Sequence, residues 1–338
     1  MLTSTKLRRG RIGATVTRST AWWLQALRRR AETMYDHDEN LFVPVAFASD
    51  AERNACGGFF NAALVAEQSG AAQAERLAAD VHRWDPELAE CLRLYGAEEA
   101  WHRDLVERFL RQIGCKVRPI RGVSRMFYDA YANARELETI MLTNLMFEVI
   151  GSTTYRIALG RAAKEPAIHR MLTTLARDES FHVPLNVHFI REMLRRRAPS
   201  RWSMARLRAV YHVVSWLLIA SAAASRPVAQ PFDHISFVEL SRAYAENLSR
   251  LFLREADLRF SPPSLALRCF GLRPGALLDG EDLLSAAAAE ASADRQSVVV
   301  TALGPGHDES TRRRSGSPGS RDVIGVSNTG SGKSCPLA

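Results

Sequence analysis

The sequence predicts an all-α protein whose centre is a bundle of four long helices carrying carboxylates and imidazoles on their inward faces. Three observations lead there. Apolar residues recur at the 3.6-residue spacing of a helix up to about Phe260, and nowhere do they alternate as in a strand. Helix start and stop signals are present, most clearly Asp85-Pro86-Glu87 and Gly114. Finally, Glu-x-x-His occurs twice, each time inside an otherwise apolar stripe.

The elements follow in order. Residues 1–57 read as an N-terminal extension with a short helix, 58–260 as the helical domain with two added helices, and 261–338 as a largely disordered tail. The first long helix starts near Gly58 and runs to about Val81, with Phe60, Leu64, Glu67, Ala71, Ala74 and Ala78 on one face. In the second, Asp85 caps the start, Pro86 takes the first position and Gly114 stops the chain. Its stripe reads Leu88, Leu92, Tyr95, Glu99, His102, Val106 and Phe109.

The third region lies between Ser124 and Gly160, with Met141, Asn144, Glu148, Gly151 and Tyr155 in register. The fourth begins near Pro166 and presents Leu172, Leu175, Glu179, His182, Asn186 and Phe189; Pro184 should kink it, because its missing N–H leaves a carbonyl unpaired. Two further helices are expected around 203–224 and 235–256. Beyond about Asp279 the chain turns to Ala, Ser, Gly, Arg and Pro, which cannot bury enough surface to fold alone.

Composition narrows the function. With 338 residues, 46% of them apolar, the chain can build one sizeable core. Its five cysteines form no Cys-x-x-Cys pair, which argues against a disulfide framework and a thiolate zinc site and for a reducing, cytoplasmic setting. The most apolar run, Val210 to Ala224, is too short to span a bilayer. A net charge of +8 raises nucleic acid as a partner, but Arg28-Arg29-Arg30 and Arg195-Arg196-Arg197 fall where helical patterns stop and read as solvated helix ends, which argues against it.

Composition alone predicts roughly 0.6 Glu-x-x-His matches in such a chain. Two occur, and their surroundings agree: Glu98-Glu99-Ala100-Trp101-His102 and Asp178-Glu179-Ser180-Phe181-His182 share an acid-Glu-small-aromatic-His pattern. Upstream, Glu67-x-x-Gly70 matches Glu148-x-x-Gly151, at separations of 32 residues (Glu67 to Glu99) and 31 residues (Glu148 to Glu179). An internal duplication accounts for this. Each half then supplies one Glu and one Glu-His pair to a metal centre, since residues three apart share a helix face. Buried carboxylates are costly unless paired or metal-bound, and carboxylate oxygens with one imidazole per ion suit iron or manganese.

At these six residues, Glu67, Glu99, His102, Glu148, Glu179 and His182, the chain resembles the ferritin-like di-iron carboxylate proteins, over roughly Gly58 to Arg197. The resemblance implies a ferritin-like four-helix bundle with extra N- and C-terminal helices and a centre of two iron ions, or of iron and manganese. It also implies dioxygen chemistry on a small organic or carrier-bound substrate, with electrons from an external reductase or ferredoxin, and a homodimer as one assembly. Val106 stands where ribonucleotide reductase small subunits carry a radical tyrosine, Leu175 where arylamine N-oxygenases carry an added histidine, and no rubredoxin-like cysteine module is present. Oxygenase, hydroxylase or desaturase chemistry remains, with tRNA hydroxylation and ferroxidase or iron handling as the alternatives.

Glu98 and Asp178 point about 100° away from their neighbouring glutamates and are expected to hold the imidazoles reciprocally, Asp178 on His102 and Glu98 on His182. Tyr95 and Tyr155 read as core packing, Trp101 and Phe181 as packing between helices, and His82, His169 and His188 as surface or core histidines. Gly330-Ser331-Gly332-Lys333-Ser334 lacks the first glycine of a phosphate loop and is read as tail.

Overall fold

The structure, a computed structural model, describes residues 17–34, 41–119, 121–161, 165–224 and 237–260. All of them belong to one compact unit, Met1–Arg295; a second unit, Gln296–Ala338, lies outside the described residues, as does the tail expected over 261–338. Eight α-helices and no strand occur among the described residues.

Helix α1 (Thr20–Thr33) starts at Ser19, whose Oγ accepts from Trp22 N–H, and buries Trp23, Leu24 and Leu27. Helix α2 spans Asp50–Val81 and so begins eight residues before Gly58, the start expected from apolar spacing. The reason is a cap. Ser49 Oγ accepts from Glu52 N–H at 3.2 Å, and the Glu52 carboxylate accepts from Ala48 N–H at 2.7 Å. Helix α3 (Pro86–Gln112) starts as the sequence indicates, with Asp85 Oδ1 accepting from Leu88 N–H at 3.0 Å, and the chain leaves it through Gly114 at φ +70°.

The single helical region expected between Ser124 and Gly160 is two helices, α4 (Gly122–Ala132) and α5 (Leu137–Arg161). Helix α6 (Pro166–Arg197) runs through Pro184 as one element. There the Asn186 amide donates to the carbonyl of His182 at 3.2 Å. Helices α7 (Arg201–Ala224) and α8 (Phe237–Arg254) and a 3-10 turn (Ala256–Leu258) complete the described fold. Among the described residues, no helix is long and apolar enough to cross a membrane.

Helices α2 and α3 pack along each other as one hairpin and α5 and α6 as another, and the hairpins meet through α2 with α5 and α3 with α6. Helix α1 lies on α3, and α7 and α8 lie on α5. The apolar core is divided in two. One cluster gathers Leu27, Leu77, Leu92, Leu145, Leu185 and Phe189, the other Phe60, Leu64, Val106, Phe109 and Leu172. A layer of buried polar side chains separates them along the same four helices.

The arginine cluster at the end of α6 is exposed to solvent, as read from sequence, and each member also meets an acid. Arg195 pairs with Glu192, Arg196 with Asp85 at 2.7 Å and Arg197 with Glu138 at 2.9 Å. Gly330–Ser334 lies outside the described residues.

Candidate metal centre

Each of the four bundle helices delivers side chains to the polar layer: Glu67 from α2, Glu99 and His102 from α3, Glu148 from α5, Glu179 and His182 from α6. All six are buried, none more than 4% exposed. The structure brings them together. One donor atom each from Glu99, His102, Glu179 and His182 lie within 4.8 Å of one another. His102 Nδ1 lies 3.4 Å from Glu67 Oε2, and His182 Nδ1 lies 2.9 Å from Glu99 Oε1 and 3.5 Å from Glu148 Oε2.

The shared Glu-x-x-Gly pattern has a physical cause at this point. A Cβ on Gly70 would come within 2.7 Å of Glu99 Oε2, and a Cβ on Gly151 within 3.4 Å of Glu179 Oε2. In each hairpin the glycine opens the space in which the next helix's glutamate lies.

Four carboxylates in one dry layer repel. Burial, with the charges of Glu148 and Glu67, pushes Glu99 up to about 8. Burial, with Glu148 next to it, drives Glu179 well above the usual carboxylate range, and the two share a hydrogen bond. Against the opposing effect of burial, the neighbouring Glu179 carboxyl and the His182 imidazole hold Glu148 low. Burial disfavours the charged imidazoles, yet the hydrogen bond to Asp178 and the nearby Glu67 carboxylate raise His102 to about 10, and Glu99, Glu148 and Glu98 raise His182 well above its ordinary value. The layer therefore attracts positive charge, whether as protons or as cations.

Outside the cluster the imidazoles are tethered on their far edges. His102 Nε2 lies 3.2 Å from Asp178 Oδ2, and His182 Nε2 lies 2.9 Å from Glu98 Oε2. Each acid thus reaches the imidazole of the other hairpin. Both acids stay ionised: although burial opposes it, Arg30 and His182 hold Glu98 low, and His102 and Arg30 hold Asp178 well below its usual value.

Arg30 is the residue that sequence reasoning missed. From α1 it donates to Glu98 at 2.8 and 3.0 Å and to Asp178 at 2.9 Å, and its guanidinium carbon lies 4.3 Å from the Phe181 ring centroid. Set within Arg28-Arg29-Arg30, it looks like a solvated helix end. Its register was the available signal, because Trp23, Leu27 and Arg30 stand at i, i+4 and i+7 and so share the inward face of α1.

Tyr95 and Tyr155, expected as core packing, do more than pack. Tyr95 Oη donates to Glu148 Oε1, and Tyr155 Oη donates to Glu67 Oε1 at 2.6 Å, so each tyrosine also crosses between hairpins. Phe181 packs against Trp23 of α1, between helices as read from sequence, and Trp101 is buried beside its chain neighbour His102. His82 and His169 are exposed. His188 is buried, its Nε2 3.1 Å from Thr20 Oγ1, and burial lowers it to about 4.

The residues fit a metal pair by a specific asymmetry. Glu67 Oε2, Glu99 Oε1, His102 Nδ1, Glu148 Oε2 and His182 Nδ1 are all buried without a hydrogen-bond partner, while the opposite edges of both imidazoles are fixed to acids. Buried polar atoms are rarely left so, and here the unpaired ones are carboxylate oxygens and imidazole nitrogens directed toward one another.

No family model matches the chain, and neither does any curated protein sequence. In structure it is similar to a Synechococcus protein with aldehyde deformylating oxidase activity, at 18% identity and a TM-score of 0.53, over 67% of this chain and 98% of that one. The fold is ferritin-like.

Proposed function

We propose that this chain is a di-iron oxidoreductase that uses dioxygen to oxidise an organic substrate, as an oxygenase, hydroxylase or desaturase. The observation that carries the reading is the set of five buried, unpaired donor atoms facing one another across two matched half-sites. The likeness to a protein with aldehyde deformylating oxidase activity supports oxidative chemistry on this frame.

Glu67, Glu99, His102, Glu148, Glu179 and His182 would hold the two ions, with one imidazole in each half. Bound iron supplies the redox change that dioxygen reduction requires, with electrons from an external reductase or ferredoxin. The chain's own residues set the conditions for it. Asp178 and Glu98 accept the Nε2 protons of His102 and His182, which fixes the tautomer that presents Nδ1 inward. Tyr95 and Tyr155 orient the terminal carboxylates by donating to the oxygens turned away from the centre. Four carboxylates balance the charge of two dications, and the apolar clusters on either side keep water out.

Anaerobic reconstitution with ferrous iron, followed by elemental analysis and optical spectra on addition of oxygen, tests this. Two iron ions per chain and an oxygen-dependent absorption change are expected. A ceiling of one ion, or retention of zinc alone, overturns the proposal. Growth of a large shell on iron loading, with no oxidation of organic substrate, would move the chain to iron handling.

A further inference from the structure

Beside the carboxylates lies a cavity of about 30 Å³, lined by Glu99, Glu148 and Glu179 together with Tyr131, Asn144 and Phe147. It holds roughly two water-sized groups. Both amide atoms of Asn144 are buried without a partner, and so is the hydroxyl of Tyr131, with the two residues 2% and 5% exposed. Three unpaired polar atoms around one small cavity are costly unless something fills it. Asn144 stands one turn before Glu148, on the same face of α5, while the matching position of the other hairpin, four residues before Glu67, is Ala63. The metal half-sites repeat, but this amide does not.

We propose that Asn144 and Tyr131 form a polar subsite that binds a neutral, oxygen-bearing head group of the substrate, a hydroxyl, aldehyde or carboxamide, next to the centre. The inference rests on the oxidoreductase reading above, for which it names the substrate class. The Asn144 amide offers a donor and an acceptor side by side, and the Tyr131 hydroxyl a further donor or acceptor. A neutral group is selected because no Lys, Arg or His lines the cavity to pair with an anionic head. The volume admits only a head of about two or three non-hydrogen atoms. Gln73, whose amide donates to the Tyr131 carbonyl at 2.8 Å, ties α4 to α2 and so sets where the Tyr131 ring enters.

Binding of propionamide and of propionate to the protein as purified, with its metal content measured alongside, tests the subsite. Propionamide should bind at least tenfold more tightly than propionate. Asn144→Leu, which removes two hydrogen bonds at similar volume, should weaken propionamide by roughly 30-fold, and Tyr131→Phe by roughly fivefold. Metal content and the far-ultraviolet circular dichroism of Tyr131→Phe should match wild type. If Asn144→Leu does not fold, Tyr131→Phe decides alone. Absence of propionamide binding, equal binding of propionate, or unchanged affinity in the folded variants overturns the subsite. A wild-type protein that takes up no iron overturns instead the oxidoreductase reading, and the amide comparison still stands as measured.

Discussion

In the first hairpin Glu67 is followed three residues later by Gly70, and in the second Glu148 by Gly151; Glu98-Glu99-x-x-His102 faces Asp178-Glu179-x-x-His182 in the same way. Around these matched positions the hairpins part company. Tyr95, one turn before Glu99, corresponds to Leu175, and Tyr155, seven residues after Glu148, corresponds to Ala74. Ala63 corresponds to Asn144, and Val106 to Asn186. The six donor positions, the two glycines and the acids behind the imidazoles are matched, because both half-sites need the same ligand geometry. Of the positions that differ, Tyr95, Asn144 and Tyr155 line the cavity beside the carboxylates, and their counterparts Leu175, Ala63 and Ala74 do not.

The strongest way to break the comparison is to remove one imidazole at a time. His102→Ala and His182→Ala should each lower bound metal from two ions per chain toward one, and the double variant should bind almost none. His188→Ala, which alters a buried histidine outside the cluster, should retain both ions. Elemental analysis after iron reconstitution reads all four. Unequal losses from the two single variants would show that the halves are alike in sequence but not in affinity.

Next in size is Arg30, which serves both halves at once. Arg30→Ala leaves Glu98 and Asp178 buried without their shared cation, a change that costs about 3–5 kcal/mol in fully buried pairs. The guanidinium is 27% exposed, so the lower end of that range is expected here, read as a shift in the urea midpoint. Asp178→Asn and Glu98→Gln should each weaken metal binding by roughly 10- to 100-fold with the fold kept. An unchanged urea midpoint in Arg30→Ala, with unchanged metal affinity, would show that the outer acids act independently of α1.

The smallest and sharpest comparison is Gly70→Ala against Gly151→Ala. Each should gain up to about 1 kcal/mol of helix propensity. The added methyl at position 70 must displace the Glu99 carboxylate, whereas at position 151 it meets Glu179 at ordinary contact distance. Gly70→Ala should therefore hold its thermal midpoint and lose metal affinity, while Gly151→Ala keeps both. Equal metal affinity in the two variants would mean that the pocket relaxes freely around Glu99.

The duplicated ligand pattern was legible because it repeats at nearly fixed separations, and helical periodicity turns those separations into one shared interior. The start of α3 was legible for a local reason: the cap, the proline and the first-turn acid sit side by side in sequence. The start of α2 carries an equally local signal in Ser49-Asp50-Ala51-Glu52, which lies ahead of the first residues of its apolar stripe. Arg30 and the two tyrosines were different. Their partners lie 53 to 148 residues away, so chemistry at one position says nothing about its contact until the helices are placed. The break between α4 and α5 was missed because both carry helical periodicity and the short stretch between them holds neither Gly nor Pro.

Arg30 also imposes an order on synthesis. It leaves the ribosome 68 residues before Glu98 and 148 residues before Asp178. At about 5–20 residues per second, roughly 7–30 seconds pass before its second acid emerges. During that interval α1 can dock on α3 through Glu98 alone, while the first hairpin carries three acids and one imidazole that only the second hairpin will cover. The nascent chain is thus most exposed to misassembly while α6 is still being made, and slow decoding within α6 would lengthen that exposure.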